Sequence, residues 1–313
     1  MAGIELYAPR KANHRRTWTA AAVVLSIVFI TLGQLLGIIP AMTTGFIGQD
    51  GATNDWPQLA YVLVVLFGLG AAITMAWVIL FEKRSLATIG LNGQGAMRFG
   101  RGFLIGLAFL GGVVGIIWAL GGYSIEAGGA FTTAAVGAAL LPIAVLLFGF
   151  IIQGATEEII MRGWLMQLVA SRHGLVLAVV INSLVFGLLH GGNIAPSREL
   201  FLGLANIALF GVFISLYAAR EGSIWGVCGW HAAWNWLLGL GFGLEVSGQA
   251  IETAPLITDL ATTQAVPWWV TGAAFGPEGS VVTTAVLLIG SVFLGLRFRS
   301  KGYPVETAPA SPE

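Results

Sequence analysis

Apolar residues run in eight blocks along the chain, near 18–39, 58–81, 103–121, 135–170, 175–193, 199–219, 223–243 and 280–296, with polar residues gathered between them. A bilayer core of about 30 Å takes roughly 20 apolar residues per helix. The pattern predicts an all-α, polytopic membrane helix bundle with about eight transmembrane helices. The fourth block exceeds what a span requires, so it tilts, projects from the membrane, or breaks near Pro142 or Gly154. The first block follows Arg10, Lys11, Arg15 and Arg16 without a small-residue cleavage site, which fits a retained anchor.

The basic residues assign sides. With a cytoplasmic N-terminus, Arg10, Lys11, Arg15, Arg16, Lys83, Arg84, Arg98, Arg101, Arg172, Arg220, Arg297, Arg299 and Lys301 all fall inside, 13 of the 15 in the chain. The opposite loops hold Asp50, Asp55, Glu126, Glu199, Glu245, Glu252, Asp259 and Glu278 with one basic residue, Arg198. Both termini are therefore expected to be cytoplasmic. Residues 1–17 form a cytoplasmic N-terminal segment, 18–302 a single transmembrane domain, and 303–313 a Pro/Ala/Glu-rich tail expected to be disordered. The last outer loop, 244–279, contains Pro267-Trp268-Trp269, which lies either along the interface or in a plain surface loop.

Composition narrows the classes. Of 313 residues 57% are hydrophobic and 10% charged, against about 25% charged in soluble domains. The net charge is zero, which leaves no basic excess for a nucleic-acid backbone. The single cysteine, Cys228, excludes an internal disulfide and reads as packing. Glycine is abundant, 44 residues, and the pairs Gly111/Gly115 and Gly187/Gly191 read as close-packing faces.

Ionisable groups inside a membrane are costly and point to function. The fourth block carries Glu157, Glu158 and Arg162, the fifth Asn182, Phe186 and His190, and the seventh His231 and Asn235. Glu158 and Arg162 lie four apart and share a helix face, so they pair, chiefly as structure. Glu157 is turned about 100° away and is free for chemistry. Measured from a turn at 171–174, Glu157 and His190 lie roughly 21 and 24 Å up their helices. His231, nine residues past the loop at 220–222, reaches only roughly 13 Å and matches less well unless that loop sits deeper or the helices tilt.

A carboxylate beside a histidine in a dry cavity can hold and deprotonate water, and a second histidine with an asparagine amide can bind an oxyanion. That set suffices for amide hydrolysis without a covalent intermediate. The same groups could bind zinc or another divalent metal through two imidazoles and a carboxylate, although the His-Glu-x-x-His signature is absent.

The run Glu157-Glu158-x-x-x-Arg162, then Phe186-x-x-x-His190, then His231-x-x-x-Asn235 resembles the CPBP family of intramembrane glutamic endopeptidases, formerly the Abi family, related to the type II CAAX prenyl endopeptidases. The segment Arg84–Leu91 also looks like family sequence, and the resemblance covers roughly 135–243 as a catalytic core. It implies Glu157 as general base, His190 helping to hold the attacking water, His231 and Asn235 stabilising the oxyanion, and Glu158, Arg162 and Phe186 in support. It implies no cofactor, a membrane-associated peptide or protein as substrate, cytoplasmic access to the site, and a place in a bacterial cell membrane. The rival readings are a proton-coupled transporter and a non-catalytic peptide-binding scaffold or immunity protein.

Overall fold

The computed structural model describes residues 3–49, 51, 53 and 55–301, with side chains through 296. The expected disordered tail, 303–313, lies outside the described residues, as does Asp50. Eight apolar helices are present: α1 (Thr19–Thr43), α2 (Trp56–Phe81), α3 (Gly95–Ala119), α4 (Val136–His173), α5 (Leu175–Leu189), α6 (Arg198–Glu221), α7 (Trp225–Trp236, widening into a π-turn over Leu237–Gly241) and α8 (Val281–Lys301). Five of them, α1 to α4 and α6, are long and apolar enough to cross a membrane. Of the others, α5 and α7 are shorter than the blocks led one to expect. α5 stops at Leu189, where His190 leaves the helical conformation just before Gly191-Gly192, and α7 starts only at Trp225, after a loop sunk into the protein.

No break interrupts α4 at Pro142 or Gly154. Pro142 lies in the second turn, where few backbone bonds are lost, and Gly154 has α7 against it, at Ala232 and the His231 ring. The irregularity falls later, as a π-helical stretch at Ile159–Met166 directly after the glutamates.

One end of the bundle, the base, gathers the N-terminal segment and most of the basic residues. Residues 4–7 run along α4: the Ile4 amide donates to the Ala170 carbonyl, the Leu6 amide to the Gln167 side chain, and the Tyr7 hydroxyl to the Arg162 carbonyl at 2.9 Å. The Arg84–Leu91 segment folds inward as a 3-10 turn at Leu86–Ile89. Buried Arg84 pairs with Glu82 at 2.9 Å, and Gly90, at φ +85°, turns its carbonyl to the Ile224 amide and the Ser223 hydroxyl. Burial lowers the Arg84 guanidinium below its usual range while Glu82 opposes that fall.

The other end departs from a purely helical expectation. β1 (Tyr123–Gly128) pairs antiparallel with β2 (Thr258–Thr262), Tyr123 opposite Thr262, with an irregularity between Ile125 and Ala127. Trp268 lies under the Arg198 guanidinium at 4.8 Å, so it is tied to the start of α6, while Trp269 is exposed.

Close packing uses some of the expected glycines and not others. A Cβ on Gly187 would press on Ala208 of α6, as a packing face requires. Gly111 and Gly115 have open space instead, and Gly191 meets only the adjacent Leu188 carbonyl. The tight seam of α3 is Gly102 and Gly106, where a Cβ would strike the Gly226 carbonyl and the Trp230 backbone of α7; Gly229 answers from α7 against the Phe99 carbonyl.

Candidate active site

The seam between α3 and α7 and the close approach at Gly154 bring α7 against α4, so that His231 lies over the two glutamates. Its Nδ1 stands 2.8 Å from Oε1 of Glu158 and its Nε2 3.6 Å from Oε2 of Glu157. A single imidazole is thus read on both edges by adjacent carboxylates. The same Glu158 oxygen accepts from Nη1 of Arg162 at 3.1 Å, and both of those side chains are fully buried. The expected Glu158–Arg162 pair is present, and Glu158 also orients the ring that faces Glu157.

Arg162 gains support from aromatic faces. Its guanidinium lies 4.3 Å from the Phe186 ring centre and 5.8 Å from that of Phe210. Such contacts partly compensate a desolvated cation. Phe186 touches His190, with centroids 4.8 Å apart, and Phe210 meets His231 edge-on at 5.0 Å. Nδ1 of His190 sits 2.9 Å from the Phe186 carbonyl. A carbonyl only accepts, so this nitrogen carries a proton, and in the neutral ring Nε2 is then the acceptor.

Glu157, Phe186, His190, His231 and Asn235 all line one cavity of about 470 Å³. Asn182 does not; it is buried and donates to the Ser215 hydroxyl of α6 at 2.6 Å, which makes it a helix-packing residue. Glu158 and Arg162 lie behind the cavity wall. Oε2 of Glu157 is buried and, among the described residues, has no hydrogen-bond partner.

The depth mismatch at His231 is removed by the sunken loop. Ile224 packs at the level of Gly163, whose missing side chain also admits the Ile89 carbonyl. Gly163 is six residues past Glu157, roughly 9 Å, and His231 is seven past Ile224, roughly 10 Å, so the two arrive level.

Three contributors escape the motif reading. Gln153, one turn before Glu157, accepts from Nδ2 of Asn235 at 3.0 Å and fixes that amide at the cavity wall. Phe210 supplies an aromatic wall from α6. Glu278, from the outer loop, enters the cavity and accepts from Trp234 Nε1 at 3.0 Å and from the Ser247 hydroxyl at 2.9 Å. Burial raises the Glu278 carboxyl above its usual range, against the pull of the Ser247 and Trp234 donors. Gln153 could have been found by its i, i+4 spacing to Glu157; Glu278 carries no local signal beyond being an acid in a Pro-Glu-Gly turn.

All three motifs lie inside one stretch that has a counterpart among known families. Residues 139–237 match the family model for type II CAAX prenyl endopeptidase Rce1-like proteins. That stretch is roughly a third of the chain, runs from α4 into α7, and contains every motif residue of the site. That stretch is therefore similar to CAAX-protease sequences, and it lies in a chain with five helices long and apolar enough to cross a membrane. No curated protein and no solved structure matches the chain. Among the described residues no group of three or more His, Cys, Asp and Glu is placed to hold a metal ion.

Proposed function

We propose that the protein is an intramembrane glutamic endopeptidase that hydrolyses a peptide bond of a membrane-associated protein or peptide with water activated by Glu157. The observation that carries this reading is Oε2 of Glu157, which has no hydrogen-bond partner among the described residues and faces Nε2 of His231 at 3.6 Å on the wall of a cavity of about 470 Å³. Water held by Glu157 and by Nε2 of His190 gives its proton to Glu157 as its oxygen attacks the carbonyl carbon. The carbonyl oxygen becomes an oxyanion, and Glu157 then passes the proton to the leaving amine.

Asn235 keeps one amide hydrogen beyond that given to Gln153, and this hydrogen serves the oxyanion. His231 gives Nδ1–H to Glu158, so its Nε2 donates only when the ring is an imidazolium. A carboxylate on either side compensates that charge, and Arg162 neutralises the excess behind it. The bilayer crossings in this reading are eight, α5, α7 and α8 included, with both termini on the basic, cytoplasmic side.

Cleavage of a pooled library of membrane-associated peptides by purified protein in detergent tests the reading. Glu157→Gln is expected to abolish cleavage while leaving the fold intact, and a chelator is expected to have no effect. Wild-type rates from Glu157→Gln refute the catalytic assignment; loss of cleavage with chelator replaces it with a metal-dependent one.

A further inference from the structure

We infer that the cavity receives its peptide from the non-cytoplasmic face of the membrane, so that its substrates are exported or membrane-anchored peptides whose scissile bond lies outside the cytoplasm. The inference rests on the peptidase reading for the word substrate, but the side on which the cavity opens stands on geometry and charge alone.

The base is one continuous surface. The N-terminal segment lies on α4 near Ala170, His173 touches Thr19, Arg98 reaches Asn92, whose amide holds the Gly222 carbonyl, and Arg101 pairs with Glu221. These contacts place Arg10, Arg84, Arg98, Arg101, Arg172 and Arg220 at a single end, the concentration of positive charge that cytoplasmic faces carry.

Among the described residues, none of that base lines the cavity. Below Glu157 the protein is solid: Ile160, Arg162, Trp164 and Leu165 are all fully buried, and the Tyr7 hydroxyl closes on the Arg162 carbonyl from beneath. At the opposite end the cavity reaches Thr53, Gln249 and Ala250, which are exposed. Its wall there is built from the outer loop, where Asn193 donates to the Ser247 carbonyl and Glu278 holds the Ser247 hydroxyl. That end carries Asp55, Glu126, Glu245, Glu252 and Asp259 against the single cation Arg198. Cytoplasmic access, which the family resemblance implies, would require a route through the packed base.

The wild-type chain is well suited to a labelling test because its one thiol, Cys228, is fully buried. Ala250→Cys and Thr53→Cys place a thiol at the rim, and Ser85→Cys places one on the exposed part of the base. A membrane-impermeant maleimide added to intact expressing cells is expected to label either rim variant, and to label Ser85→Cys only after the membrane is opened. Labelling of Ser85→Cys in intact cells, with the rim variants reached only after opening, overturns the inference. In parallel, an impermeant peptide cleaved by purified enzyme is offered to right-side-out and inverted vesicles, with Glu157→Gln as control. Cleavage by right-side-out vesicles alone supports the inference, and cleavage by inverted vesicles alone overturns it. If no peptide is cleaved by purified enzyme, the peptidase reading fails while the labelling pattern still decides the side.

Discussion

Glu158→Gln isolates the buried pair from the chemistry. In the wild type one oxygen of Glu158 accepts from Nη1 of Arg162 at 3.1 Å and lies 2.8 Å from Nδ1 of His231, and neither Glu158 nor Arg162 touches solvent. Among the described residues Nε and Nη2 of Arg162 have no hydrogen-bond partner, so Glu158 is the direct counter-charge of that guanidinium. Glutamine keeps the shape and an accepting oxygen but removes the charge. At an effective dielectric of 20, unit charges about 3.1 Å apart attract by about 5 kcal/mol. Removing one partner of a buried pair typically costs about 3–5 kcal/mol. The two figures agree, and we expect Glu158→Gln to lose about 3–5 kcal/mol in reversible unfolding from detergent micelles.

The control is the double variant Glu158→Gln/Arg162→Met, which withdraws the stranded cation as well. It is expected to be more stable than Glu158→Gln alone, with a coupling energy of about 2 kcal/mol or more. A loss below about 1 kcal/mol in Glu158→Gln, or simple additivity in the double variant, would refute the view that the pair is electrostatically coupled in a dry interior.

Two glycine replacements should separate by sign. Gly102→Ala drives a methyl into the Gly226 carbonyl of α7 and is expected to destabilise by about 1–3 kcal/mol; Gly111→Ala meets open space and should be neutral or gain up to about 1 kcal/mol in helix propensity. Thermal unfolding of the two proteins side by side checks this, and equal losses would contradict the assigned seam. Glu278 makes a pH-dependent contribution whose sign follows from its raised carboxyl. An acid whose folded pKa exceeds its unfolded value contributes stability that is full below the unfolded pKa and is lost as pH rises towards the folded pKa. Stability should therefore decline with pH above about 4.3, by at most about 1.4 kcal/mol per pH unit from this group, and Glu278→Gln should flatten that part of the wild-type curve. An unchanged pH slope in the variant would show that Glu278 is not the group responsible.

The polar lining of the cavity is the part most legible in the chain. Glu157, His190, His231 and Asn235 belong to short i, i+4 patterns whose charge or polarity stands out against apolar surroundings, and all four line one cavity. What escaped depends on partners far away in sequence. Gly102/Gly106 and Gly111/Gly115 have the same four-residue spacing on the same helix, and only the position of α7 decides which pair is a seam. The level of His231 hinges on Ser223 and Ile224 being held by the Gly90 carbonyl, a contact across more than a hundred residues. Glu278 looked like a solvent charge because an acid in a loop has no periodicity to betray burial. The β1–β2 pair joins two loops whose own sequences contain too few alternating residues to announce a strand.

Adjacency explains why Glu157 and Glu158 can divide the work. A rotation of about 100° between neighbours sends one carboxylate to the cavity and the other into the protein. The π-helical stretch begins directly after them and carries Arg162 under Phe186, clear of the cavity. Because the two nitrogens of His231 lie on different edges of its ring, that imidazole meets both carboxylates without either moving. Charge on Glu158 is transmitted to the cavity only through the ring, whereas Glu157 meets the cavity directly. In this arrangement substitutions at neighbouring positions strike different observables. Loss of the Glu157 charge changes the cavity wall directly, and loss of the Glu158 charge first strands Arg162 and only then weakens the hold on His231.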